Sequence, residues 1–151
     1  MYLLDTNHCS AIILGEPNVI RRVKEVGVGD IATCVIVQGE LTFMMEKSQR
    51  KETNLARLTE FLEDIRMYHI TEETATFYGQ IKAALFNQFA PKDKNKRRKT
   101  KIVDLGFDEN DIWIAAIALQ NNLTVVSSDS DFLRIQQVRT FSLECWVGFA
   151  A

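Results

Sequence analysis

The stretch MYLLDTN, residues 1–7, indicates the fold class of this chain. Its apolar residues 1–4 predict a short buried strand, and Asp5 places a carboxylate at the carboxyl end of that strand. Thr6 and Asn7 are residue types that cap helices, so we expect a short helix over residues 10–14. A strand that ends in an acid and leads into a helix is typical of open α/β sheets, whose sites lie at strand ends.

Strand and helix patterns alternate along the rest of the chain. Further short strands are predicted at residues 30–34, 67–70, 123–127 and 141–147. Apolar residues at helical spacing predict helices at residues 19–26, 35–48, 55–65, 75–89 and 112–119. Because this alternation favours a parallel sheet covered by helices, we predict one α/β domain over residues 1–151, with three α/β/α layers and a mainly parallel central sheet.

The composition excludes several classes of protein. With 151 residues, of which 46% are hydrophobic and 25% charged, the chain suits one folded domain rather than a disordered segment. No apolar run is long enough to cross a bilayer and the N-terminus does not resemble a signal peptide, so we expect a cytoplasmic protein with no membrane partner. Cys9, Cys34 and Cys145 form no CxxC pair, so we expect reduced thiols rather than disulfides or a zinc site.

Charge is distributed unevenly along the chain. Residues 92–101, KDKNKRRKTK, hold seven of the 18 Lys and Arg residues, although the net charge is −2. This segment follows Pro91 and is predicted to be an exposed loop. A basic patch attracts phosphate, whereas acidic residues elsewhere in the chain are able to gather metal ions.

Carboxylates recur where predicted strands end or predicted helices begin. Asp5 follows the first strand, Asp129 and Asp131 follow the fourth, Asp111 opens an apolar helix, and Glu40 lies about one turn into another. A hard divalent cation offsets the repulsion between clustered acids, and ligands that are all oxygen favour Mg²⁺ or Mn²⁺ over zinc. Phosphodiester hydrolysis is the natural reaction of such a site.

Each acid also has an interpretation without chemistry. Asp5 suits a strand-end cap, and Glu40 suits an exposed helical position. Asp111 suits the first turn of a helix, where its charge favours the dipole, and Asp129 and Asp131 suit a turn. The argument for a common site therefore depends on their shared placement at one edge of the predicted sheet.

The ordered motifs resemble the PIN-domain family, especially its VapC-like toxins of bacterial toxin–antitoxin pairs. The matching pieces are LLDTN (residues 3–7), GEL (39–41), NDIWIAAIAL (110–119), VVSSDSDF (125–132) and ECWV (144–147). They cover essentially the whole chain in the family's order. The resemblance implies a metal-dependent endoribonuclease that hydrolyses RNA phosphodiester bonds, has an antitoxin protein as its partner, and assembles as a homodimer.

The resemblance also implies roles for individual acids. Asp5, Glu40 and Asp111 resemble the three core acids of the family, which hold Mg²⁺ or Mn²⁺. Asp129 resembles the more variable fourth acid. Asp131 is the weaker candidate ligand, with capping of the following turn as its alternative.

Polar neighbours of these acids resemble the residues that orient them or bind water. Thr6 and Asn7 stand beside the first acid, and Ser127 and Ser128 stand beside the fourth.

Residues 91–106 depart from the family pattern, because the connection before Asn110-Asp111 is usually shorter. Three interpretations stay open for this insertion: an arm that binds RNA phosphates, a solvated loop that improves solubility, and a docking site for an acidic antitoxin segment. The predicted RNA contacts are Lys94, Lys96, Arg97, Arg98 and Lys99.

Two other functions stay open. One is a PIN module that binds RNA or a partner without cutting. The complete set of acids disfavours this alternative. The other is a phosphatase with Asp5 as nucleophile, which ranks last because such enzymes start with Asp-x-Asp and the third position here is Asn7.

The remaining aromatic and sulfur-containing side chains are interpreted as packing residues. We expect Trp113, Trp146 and residues 43–45, Phe-Met-Met, in the core or in a dimer interface. His8 is expected to pack near the first helix, because neither histidine has the spacing of a metal ligand.

Overall fold

The computed structural model describes residues 1–147, and a five-stranded sheet forms its centre. The strands are β1 Tyr2–Leu4, β2 Ile31–Cys34, β3 Arg66–Tyr68, β4 Thr124–Val126 and β5 Leu143–Glu144. Neighbouring strands are all parallel, in the spatial order β3–β2–β1–β4–β5. The predicted α/β class and parallel sheet are therefore confirmed, and only residues 148–151 of the predicted domain lie outside the described part.

Helices connect these parallel strands. They are α1 Thr6–Ile13, α2 Pro17–Val26, α3 Val35–Glu46, α4 Lys51–Asp64, α5 Glu72–Phe89, α6 Lys94–Lys99, α7 Glu109–Asn121 and α8 Ser130–Gln136. Right-handed crossovers place the helices before and after a reversal of strand order on opposite faces of a sheet, which produces three layers. Within residues 1–147, none of the helices has both the length and the apolar character that crossing a membrane requires.

The strand order reverses at β1. Strands β2 and β3 lie on one side of β1, whereas β4 and β5 lie on the other. Leu3 is paired with Ala32 on the first side and with Val125 on the second. In open parallel sheets, ligands bind outside the carboxyl ends of the strands at such a reversal. The topology therefore favours a site between the ends of β1 and β4.

Apolar residues hold this frame rigid. Leu3, Leu4, Val125 and Val126 are completely buried, as expected for strands that are covered on both faces. Helix α7 is buried over the consecutive residues 114–118 and packs against α5. It ends at Asn121 and is capped by Asn122, which adopts the left-handed conformation with φ 53°.

Two predicted elements were wrong. The first helix begins at Thr6 instead of residue 10, because Asp5 is its N-cap and accepts the backbone N–H of His8 at 2.9 Å. The loop predicted at residues 92–101 contains α6, which Asp93 caps by accepting the backbone N–H groups of Asn95 and Lys96. Like charges close together disfavour a helix. An acid at the N-terminus and cations at the C-terminus stabilise it, because both interact favourably with the helix dipole.

Two of the three thiols are buried. Cys9 and Cys34 are buried, Cys145 is partly exposed, and all three are free. Burial raises the pKa of the Cys34 thiol to about 11, so this group stays protonated at neutral pH.

The residues interpreted as packing residues divide into three groups. Trp146 and Met45 are in the core, as predicted. Trp113 is half-buried and stacks on Tyr78, with ring centroids 3.8 Å apart. Phe43 is 66% exposed, so a place in the core is wrong for this residue.

Candidate active site

A cavity of about 670 Å³ opens at the carboxyl ends of β1 and β4. Four separate elements bring to it every acid predicted as a metal ligand: Asp5, Glu40, Asp111 and Asp129. Thr6 and Asn7 line the same cavity. The structure therefore gathers side chains that are up to 124 positions apart in the sequence (129 against 5).

Asp5 is the most firmly held of these acids. It is only 5% exposed, and it accepts hydrogen bonds on both carboxylate oxygens. His8 Nδ1 lies 2.9 Å from Oδ1, and the Ser127 hydroxyl donates to Oδ2. These two contacts fix the orientation of the carboxylate, which is how proteins usually hold a metal ligand.

His8 is a site residue that the sequence analysis did not assign. Its Nε2 accepts the backbone N–H groups of Trp146 at 3.0 Å and Val147 at 3.3 Å. A nitrogen that accepts carries no proton, so the proton of the neutral ring is on Nδ1 and is donated to Asp5. The spacing of three residues within the first helical turn was the available signal, but the backbone partners are distant in sequence.

Glu40 approaches the cavity from α3. Thr6 Oγ1 donates to Glu40 Oε1 at 3.0 Å, which fixes one carboxylate oxygen. Burial raises the pKa of Glu40, and the negative charges of Asp108 and Asp5 raise it further. Thr6 therefore orients Glu40, not the adjacent Asp5.

Asp111 and Asp129, which line the cavity, form a cluster with a third acid, Asp131. One carboxylate oxygen from each of Asp111, Asp129 and Asp131 lies within 4.8 Å of the other two. Asp129 is the N-cap of α8 and accepts the backbone N–H of Asp131 at 2.9 Å. Asp131 is 8% exposed and accepts the backbone N–H of Asp108 at 3.1 Å. The capping role considered for Asp131 is thus performed by Asp129, and Asp131 joins the cluster.

This cluster lacks a compensating positive charge. Burial raises the pKa of Asp111 to about 9, with contributions from its contact with Asp131 and from the charge of Asp129. Among residues 1–147, no Lys or Arg forms a salt bridge with these acids: Asp5, Glu40, Asp111, Asp129 and Asp131. A set of oxygen donors without a cationic partner fits a divalent metal ion.

The serines beside the fourth acid have different surroundings. Ser127 is buried, donates to Asp5, and accepts the backbone N–H of Asp129 at 3.0 Å. It thereby connects the ends of β1 and β4. Ser128, which the resemblance also suggested, is exposed at the surface.

The basic residues of α6 are divided between two environments. Lys94, Lys96, Arg98 and Lys99 are exposed. The Arg97 guanidinium instead donates to the backbone carbonyls of Phe86 and Pro91 and to the side chain of Asn87, at 3.1–3.3 Å. Arg97 therefore fastens α6 to the end of α5.

Known proteins are similar to this chain over almost its full length. The model of the PIN domain family matches residues 2–138. Ribonuclease VapC2 of Haemophilus influenzae is 31% identical over 147 residues, 97% of this chain and 98% of that protein. The tRNA(fMet)-specific endonuclease VapC of Shigella flexneri is 29% identical over 92% of this chain and 95% of that protein. A crystal structure of VapBC2 from Rickettsia felis bound to a promoter DNA fragment superposes with a TM-score of 0.74, 25% identity, and coverage of 97% and 98%.

Proposed function

The chain belongs to the PIN domain family, and from this membership we propose that it is a toxin endoribonuclease that hydrolyses RNA phosphodiester bonds with a divalent metal ion. One observation carries the proposal: Asp111, Asp129 and Asp131 converge within 4.8 Å, beside Asp5 and Glu40, and no Lys or Arg of residues 1–147 forms a salt bridge with them. A PIN module that binds without cutting is not favoured, because the acids are intact and the full-length relatives carry the names of ribonucleases.

We assign the metal site to Asp5, Glu40, Asp111 and Asp129, with Asp131 as a further donor. These oxygen donors suit Mg²⁺ or Mn²⁺. When bound, the metal ion lowers the pKa of a water molecule and stabilises the charge that develops on the phosphate oxygens.

The other residues of the site orient these ligands. His8 and Ser127 hold the two oxygens of Asp5, so that its carboxylate keeps one orientation. Thr6 does the same for one oxygen of Glu40. Asn7 is exposed at the cavity and is placed to donate to a phosphate oxygen or to a water molecule.

The proposed surroundings of the enzyme follow from its relatives. The Shigella flexneri relative is a tRNA(fMet)-specific endonuclease, so a structured RNA such as tRNA is the first substrate to test. The Rickettsia felis structure is of a VapBC2 complex, so we propose that a cognate antitoxin silences this chain in the cytoplasm. A homodimer completes the proposed assembly, with residues 1–151 as a single PIN domain and residues 91–106 as its insertion.

The decisive test pairs metal dependence with a matched substitution. Purified protein is expected to cleave total tRNA with added Mg²⁺ or Mn²⁺ and to stop when EDTA is present. Glu40→Gln is expected to lose cleavage, whereas Glu63→Gln, an exposed acid on α4, is expected to retain it. Cleavage that continues in EDTA would contradict the metal assignment. RNA binding without cleavage in the presence of metal would revive the binding module.

A further inference from the structure

The outer wall of the carboxylate cavity carries an exposed aromatic ring. Phe43 and Lys47 line the same cavity as the acids, at the end of α3. Phe43 is 66% exposed, and among residues 1–147 every other aromatic side chain is buried or partly buried. A single exposed apolar residue is ordinary on a protein surface, so what distinguishes Phe43 is that it lines the cavity that holds the acids.

Helical spacing connects this ring to the acids. Glu40, Phe43 and Lys47 are three and four residues apart, so they lie on one face of α3 and its cap. A rise of about 1.5 Å per residue puts Phe43 about 4.5 Å and Lys47 about 10 Å from Glu40 along the helix axis. Along α3, the carboxylate of Glu40 is therefore followed by the ring of Phe43 and then by the ammonium group of Lys47.

Lys47 and Phe43 form a pair. The Lys47 Nζ lies 4.7 Å from the centre of the Phe43 ring, which is a cation–π geometry. Within residues 1–147, Lys47 has no acidic partner at salt-bridge distance. A flat apolar surface and an unneutralised ammonium group therefore stand side by side, which are the two features that bind a base and its phosphate.

We propose that Phe43 and Lys47 form a base-binding subsite: Phe43 stacks on an unpaired base next to the scissile phosphate, and Lys47 contacts the phosphate of that nucleotide. This inference deepens the proposed function and rests on it. Proteins bind single-stranded RNA by stacking splayed bases on aromatic rings, whereas the bases of a helix are already stacked on each other. The subsite therefore restricts cleavage to loops and other single-stranded segments.

The position of the ring favours RNA over a protein partner. Phe43 shares one cavity with the carboxylates, so a nucleotide next to a phosphate held at the acids lies within reach of the ring. A second copy of the chain or an antitoxin resting on Phe43 would also cover an apolar side chain. Measurements of RNA cleavage, dimerisation and antitoxin binding by Phe43→Ala distinguish RNA from these protein partners.

The test removes the ring and the base separately. The substrate is a fluorescein-labelled single-stranded RNA oligonucleotide whose cut has been mapped with wild-type protein, with versions that carry an abasic nucleotide on either side of the cut. Wild type is expected to lose about tenfold in kcat/KM, mainly through KM, on one abasic version. Phe43→Ala is expected to lose the same factor on intact RNA and nothing more on that abasic version.

Three further variants separate the roles. Phe43→Trp is expected to restore cleavage, because a larger ring stacks at least as well. Leu133→Ala removes a side chain that is similarly exposed, at 59%, on α8 and is expected to behave as wild type. Lys47→Gln is expected to weaken binding and make it less dependent on salt, while the difference between intact and abasic RNA remains.

A binding measurement protects the inference from a failure of the proposed function. RNA with 2-aminopurine beside the cut is mixed with Asp111→Asn protein, with and without Phe43→Ala. Quenching that requires Phe43 supports the subsite even if wild type cuts no RNA, a result that would sink only the nuclease assignment. If Phe43→Ala lowered kcat/KM on the abasic RNA by the same further factor as on intact RNA, the ring and the base would act independently, and the subsite would be overturned. A Phe43→Ala protein that loses dimerisation or antitoxin binding while its RNA kinetics stay unchanged would also overturn it.

Discussion

The carboxylate cavity and the basic segment at residues 92–101 use sequence in opposite ways. The acids are scattered from Asp5 to Asp129, yet strand ends and helix starts bring them into one cavity. The cations are contiguous, yet α6 points most of them to solvent and uses Arg97 as a structural bond. The basic residues are neighbours in the sequence but most of them face solvent, whereas the acids are far apart in the sequence but line one cavity.

This difference separates two kinds of electrostatics. In the cavity, burial and mutual repulsion raise the pKa of Asp111, so the charges are strongly coupled and a metal ion has a large effect. On α6, water and salt screen the charges, so each contributes little and the contributions add. We therefore expect substitutions in the cavity to abolish activity and substitutions on α6 to adjust affinity.

The largest effect is expected from Asp111→Asn. Cleavage of RNA should fall on the order of 1,000-fold, the size of effect that follows the loss of a group stabilising charge in the transition state. The metal-free protein should melt at the same or a higher temperature, because Asp111 must take up a proton on folding at neutral pH, whereas Asn is already neutral. Cleavage assays and thermal melting in EDTA check both parts. A variant that is inactive and also much less stable would assign Asp111 a structural role.

The next effect is the pH dependence of the metal-free protein. Asp111 has a pKa of about 9 when folded, against 3.8 for the free side chain, so the folded protein holds a proton that the unfolded chain releases between these values. The free energy of unfolding should therefore fall as pH rises through this window, and melting should shift by roughly 2–4 °C per kcal/mol lost. Mg²⁺ binds the ionised acids and should stabilise most at the alkaline end.

Melting curves in EDTA and in Mg²⁺, at about pH 5 and about pH 9, measure this dependence. Asp111→Asn is the control, since it should flatten the profile. A metal-induced shift of equal size at both pH values would show that Asp111 is not the titrating group.

On α6, Lys96→Gln combined with Arg98→Gln should weaken RNA binding severalfold at low salt and leave kcat unchanged. The salt dependence should become shallower by up to about 1.4 in slope, since two phosphate contacts on a single strand are lost. Lys24→Gln with Arg57→Gln makes the same change of charge on α2 and α4, and serves as the control. Equal effects of the two pairs would mean that net charge, not α6, attracts the RNA.

The smallest effect is expected inside the basic segment itself. Arg97→Gln removes donors to Phe86, Pro91 and Asn87, so the free energy of unfolding should fall by about 1 kcal/mol. Arg98→Gln, one residue on, should leave it unchanged. Chemical denaturation compares the two variants. If both variants lost stability to the same extent, the hydrogen bonds of Arg97 would not be what holds α6.

Much of the cavity could be predicted from the sequence because its acids stand at strand ends and helix starts. Asp5 and Asp129 follow β1 and β4, and strands that end at the same edge of a parallel sheet bring such residues together. The position of Asp131 beside Asp111 could not be predicted, because it depends on a contact with the backbone of Asp108, 23 residues earlier. His8 was missed for the same reason.

The surface was harder to predict than the site. Helix α6 was missed because its one favourable local signal is the capping residue Asp93. The rest of the segment is a run of like charges, which disfavours a helix. The exposure of Phe43 gave no signal, since an apolar residue on a helix is usually buried and only the packing of neighbouring elements decides the exception.

The bonds between His8 and the backbone of Trp146 and Val147 have a consequence for synthesis. Asp5 and His8 are translated well before Trp146 and Val147, so the His8 ring meets the two backbone N–H groups that donate to it only after residue 147 has emerged from the ribosome. A nascent chain that stops short of residue 147 therefore lacks the contacts that fix the His8 ring against Asp5.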